Sequence, residues 1–103
     1  MGTGTSPLGI GGGTNISADK AAKIVDKTGF KVEGNGNWQM DIPGVGGAMI
    51  LDETDTAMGN YGAQKTYSYT VWDKNYQIQD KQYAISLNDA KYMAKENLKN
   101  LNS

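Results

Sequence analysis

The stretch Lys65-Thr66-Tyr67-Ser68-Tyr69-Thr70-Val71-Trp72 decides the fold. Tyr67, Tyr69 and Val71 alternate with Thr66, Ser68 and Thr70, a period of two in aromatic and β-branched residues. That pattern describes a strand with two chemically different faces. Trp72 closes the run on the side that carries the hydroxyls.

Reading outward, Asp73-Lys74-Asn75 turns the chain, and Tyr76 and Ile78 then alternate with Gln77 and Gln79. Asp80-Lys81 turns it again before a short strand holding Tyr83 and Ile85. On the other side, Ala48-Met49-Ile50-Leu51 is a continuous apolar run, the mark of a central strand. Phe30 to Ile42 reads as a hairpin, with Phe30 and Val32 before, and Trp38, Met40 and Ile42 after, the turn Gly34-Asn35-Gly36-Asn37. Gly and Asn accept the positive φ that such turns need. Pro43-Gly44-Val45-Gly46-Gly47 links this hairpin to the central strand, with Val45 as a lone apolar tip. Residues 52–64 read as a long loop.

Two helices bracket the strands. Ser17 caps the first, over residues 18–28, with Asp19 in its first turn, a small-residue face of Ala18, Ala21, Ala22 and Val25, and Gly29 as its stop. Ser86 caps the second, whose stripe of Leu87, Ala90, Ala94, Leu98 and Leu101 keeps helical spacing. Residues 1–15, with six glycines and few apolar side chains, read as a flexible leader. The expected architecture is one α+β domain over residues 16–103. It has a short N-terminal helix, a mostly antiparallel meander of five to six strands, and a C-terminal amphipathic helix packed on one sheet face.

Composition restricts the chemistry. The chain of 103 residues contains no Cys and no His, and all ten of its basic residues are Lys. Disulfides, thiolate nucleophiles, sulfur or imidazole metal ligands and the commonest general base are therefore excluded. The bidentate fork that recognises phosphate and guanine is missing as well. Nine Asn and the Lys bias fit an AT-rich genome, such as that of a phage or mobile element. No run approaches the ~20 apolar residues of a membrane span, and no secretion signal opens the chain, so a cytoplasmic location is expected.

Several stretches invite a functional reading. Gly9-Ile10-Gly11-Gly12-Gly13-Thr14 runs into a helix start but lacks a preceding strand and the Gly-Lys-Ser/Thr ending of a phosphate loop. Asp52, Glu53 and Asp55, with Asp41, offer oxygen ligands without the spacing of a calcium loop. Lys91, Lys95 and Lys99 form a line on the last helix, but the net charge of −1 argues against a nucleic-acid partner. The aromatic segment from Tyr61 to Tyr83 carries the strongest signal. Leu, Ile, Val and Phe number only 17, so the core is small, and Tyr and Trp beyond its needs point to a contact surface.

The expected function is a small non-enzymatic module that binds a protein partner, as an inhibitor or assembly factor, or binds a second copy of itself. Its surface would combine Trp72, Tyr67, Tyr69, Tyr76 and Trp38 with the Val45 loop. No cofactor or metal is expected. The alternative is a small-molecule or nucleotide binder with a pocket between the aromatic strands and the Gly-rich leader.

Overall fold

The computed structural model describes residues 16–34, 36–54 and 65–103. The Gly-rich leader, Asn35 at the hairpin tip and residues 55–64, Tyr61 among them, lie outside the described residues. The elements run α1 (Ala18–Lys27), β1 (Lys31–Val32), β2 (Asn37–Ile42), β3 (Gly46–Asp52), β4 (Tyr67–Asp73), β5 (Gln82–Ala84) and α2 (Leu87–Leu101). The strands form one sheet in chain order, every neighbour pair antiparallel, so the fold is the expected α+β meander flanked by helices.

Both helix starts follow their caps. The Ser17 hydroxyl accepts from the Lys20 amide at 3.2 Å, and the Ser86 hydroxyl from the Asp89 amide at 3.0 Å. The end of α1 departs from expectation. Thr28 rather than Gly29 closes it, its hydroxyl donating to the Ile24 carbonyl at 2.6 Å while its backbone turns extended. A β-branched residue whose hydroxyl reaches back one turn ends the helix without a left-handed glycine.

Register fixes two faces. Trp38, Met40 and Ile42 of β2 share one side with Ala48 and Ile50 of β3 and Tyr67, Tyr69 and Val71 of β4. This side meets α2, and α1 packs against α2 in turn. Ala90, Ala94 and Leu98, spaced at i, i+4 and i+8 on α2, are fully buried, as are Ala21 and Val25 of α1. Small side chains on the contacting ridges let α2 lie close over β3 and β4, so the core is thin and needs little aliphatic bulk. Leu101, the last member of the expected stripe, remains partly exposed beyond it.

Among the described residues the meander has five strands, at the lower end of the expected five to six. Tyr76–Gln79 does not form a separate strand. Ile78 makes a single bridge to Trp72, and the chain then rejoins β4 as β5. Trp72 opposes Ile78 while Tyr69 opposes Gln82, so residues 79–81 span the length of residues 70–71. One extra residue in an edge strand is a β-bulge.

Candidate binding surface

The other side of the sheet is covered by neither helix. It carries Gln39 and Asp41 of β2, Gly47, Met49 and Leu51 of β3, the buried Ser68 with Thr70 and Trp72 of β4, and, by pairing, Ile78 and Tyr83 at the edge. Trp72 is the centre of this face. Its pair partner across the ladder is Gly47, and a Cβ built there would stand 2.5 Å from indole atoms Cε2 and Cζ2. The ring therefore crosses β3 on the bare Cα of a glycine, and Nε1 donates to Asp41 Oδ1 on β2 at 3.4 Å. Position and rotamer are both held, yet the residue is only half-buried.

Apolar neighbours extend the surface. Ile78 is 70% exposed and Tyr83 45%. Met49 and Leu51 are half-buried on the adjoining strand. Next to Ile78 the turn from β4 is organised by Asp73, whose carboxylate accepts from the amides of Asn75 (2.8 Å) and Gln77 (3.0 Å). Tyr76 sits in that turn with φ 63° and its side chain exposed. Among the described non-glycine residues it alone takes the left-handed conformation, which costs an aromatic residue on the order of 1 kcal/mol or more.

The aromatic set expected to form one surface is thus divided. Trp72 belongs to the helix-free side, and Tyr76 lies exposed in the turn beyond β4. Tyr67, Tyr69 and Trp38 face the helices instead. Tyr69 is core, with its hydroxyl donating to Gln82 Oε1 at 3.2 Å, and burial raises its pKa. Trp38 and Tyr67 meet edge to face, centroids 6.1 Å apart, and close one end of the core diagonally across Ile50. Their side was set by parity, since Tyr67 and Trp72 differ by an odd number of residues on one strand.

Val45 is not a protruding tip. It is fully buried, because the turn tucks under the C-terminal end of α2. The Val45 amide closes the turn onto the Ile42 carbonyl at 3.0 Å, and its carbonyl accepts from the Asn102 side chain at 3.1 Å. The same Asn102 amide group donates to the Leu98 carbonyl, so one C-cap residue ties helix and turn together. Gly44 and Gly46, both at positive φ, make the tuck possible.

The charged candidates are engaged in local contacts. Lys99 pairs with Asp26 (2.9 Å) and Glu96 (2.7 Å), and Lys95 Nζ donates to the Asp26 carbonyl at 3.3 Å. Two of the three lysines in the line on α2 thus bind α1 rather than facing outward as a free row. Hydrogen bonds to Asp26 and then Glu96 raise the pKa of Lys99. Glu53 bonds Ser68 and pairs with Lys81 at 3.2 Å, which lowers its pKa, and Thr54 does the same for Asp52. Asp55 lies outside the described residues.

Ile78, Tyr83, Met49 and Leu51 were absent from the expected surface. A continuous apolar run from Ala48 to Leu51 assigns no side to Met49 and Leu51; only the register with Trp72 puts them on the helix-free one. Among the described residues no helix is long and apolar enough to cross a membrane. No family model, curated protein or solved structure matches the chain.

Proposed function

We propose that this chain is a non-enzymatic binding module that takes a protein partner on the helix-free face of its sheet. The observation that carries this reading is Trp72, an indole seated on Gly47, fixed by Asp41, and left half-exposed among Met49, Leu51, Ile78 and Tyr83. A rigid aromatic loses little rotamer freedom on association, and Trp and Tyr dominate interface energetics for that reason. Tyr76 adds a second support. A strained, exposed aromatic residue in a tight turn is costly to the free protein, and such positions cluster at ligand-contacting sites. The non-enzymatic part rests on inventory: no Cys or His is present, and the Asp41 carboxylate on this face is bonded to the indole.

The test is capture from the source cells with the full chain as bait, run beside an Ile78→Ser/Tyr83→Ser variant, with light scattering to detect self-association. Both positions are exposed, so the variant keeps its fold. A discrete partner or a second copy bound by the native chain and lost from the variant is expected. Equal capture by both chains, or a monomer with no partner, overturns the reading.

A further inference from the structure

A second site lies on the opposite side of the sheet, between the C-terminal half of α2 and the bulged edge. It is a cleft of about 220 Å³ with Asn97 and Asn100 on the helix wall and Gln79, Asp80 and Gln82 on the edge wall. The bulge builds this wall. Strict alternation would give the cleft two of the four residues 79–82. With an extra residue between the Ile78 bridge and β5, Gln79, Asp80 and Gln82 all line it. Bulges re-aim side chains in this way next to binding sites.

The lining is uniform in chemistry. Four carboxamides and one carboxylate line the cleft over a floor that includes Tyr69 and Val71, and of these the Gln79 amide nitrogen already donates to the Gln77 carbonyl at 3.4 Å. Gln82 Oε1 is held by the Tyr69 hydroxyl, which leaves its amide nitrogen free to donate. The side chains of Asn97, Asn100 and Asp80 make no hydrogen bond within the described residues. No lysine lines the cleft, so an anionic ligand finds no counter-charge. A carboxamide presents a donor and an acceptor side by side, which matches a pair of neighbouring hydroxyls that each donate and accept. Leu101 contributes an apolar wall for C–H surface. The volume falls below the ~300–1,000 Å³ of pockets for drug-sized ligands, so the occupant is small.

We infer that this cleft binds an uncharged, hydroxyl-rich molecule the size of a single sugar ring. The site is separate from the Trp72 face and does not depend on the function proposed for it.

The test uses the full chain, isotopically labelled, titrated to tens of millimolar with glucose, galactose, N-acetylglucosamine and myo-inositol, and separately with ethylammonium. Saturable shifts of the Asn97, Asn100 and Gln82 side-chain amide resonances with at least one of the four hydroxylated probes are expected. They should be lost in Asn97→Ala and Asn100→Ala, both on the helix surface, and retained in Ile78→Ser/Tyr83→Ser. The inference is overturned by the absence of saturable shifts with all four. It is equally overturned by saturation with ethylammonium alone, which would assign the cleft to a cation at Asp80, or by shifts that survive both Asn variants.

Discussion

The indole of Trp72 rests on Gly47, its partner across the β3–β4 ladder, and a side chain at that position would run into both the ring and the Met40 carbonyl of β2. Gly47→Ala should therefore cost about 1–3 kcal/mol, the usual price of overpacking a filled site. In a Trp38→Phe background the remaining indole reports its own displacement. Its emission should shift to the red in Gly47→Ala, and the denaturation midpoint should fall.

The buried turn gives a prediction in which stability falls and binding does not. Val45→Ala should lower stability by about 2 kcal/mol through a cavity beneath α2. Asn102→Ala should cost about 1–2 kcal/mol by leaving two carbonyls without their shared donor. Urea denaturation measures both. Neither change alters the helix-free face, so partner capture below the denaturation range should equal that of the native chain.

Tyr76 separates stability from binding. Tyr76→Gly removes left-handed strain at a mostly exposed site, and should leave stability unchanged or raise it by about 1 kcal/mol. Capture of the partner should weaken nevertheless. Thermal melts and capture on the same preparation check the two halves together.

The pH dependence follows from Glu53. Its hydrogen bond to Ser68, and then its pairing with Lys81, hold its pKa below the ordinary 4.5. A carboxylate depressed in the folded state makes a stability contribution that is complete above the unfolded value and fades as pH falls through the folded one. Asp52 acts in the same direction. Glu53→Gln should cost about 1 kcal/mol at neutral pH. The gap between native and variant chains should close in urea titrations carried below pH 4, and a gap that widens there would reverse the assigned sign.

The parts of the fold governed by local chemistry were legible in the sequence. Ser17 and Ser86 as caps, the alternation from Thr66 to Trp72 and the Ala-Leu ridge of α2 are short-range signals, and each is where it was expected. What depended on register was not. Trp38 and Tyr67 have the same composition signal as Trp72, yet pairing puts them on the helix side. The bulge over residues 79–81 has the same local signature as a turn between two strands, because Asp80-Lys81 interrupts alternation in either case. Val45 looked like a loop tip because glycines flank it. The long-range tie from Asn102 that turns it inward has no local signature. The cleft has no local signature either, since Asn97 and Asn100 acquire meaning only when the bulged edge stands opposite them.

The central claim is that a partner covers the face around Trp72, and hydroxyl-radical footprinting of the captured complex tests it at side-chain resolution. Tyr92, exposed on α2, serves as the internal control. Oxidation of Trp72, Tyr83 and Met49 should fall in the complex while Tyr92 keeps its free rate. Unchanged oxidation at Trp72 and Tyr83, with protection at Tyr92, would contradict it.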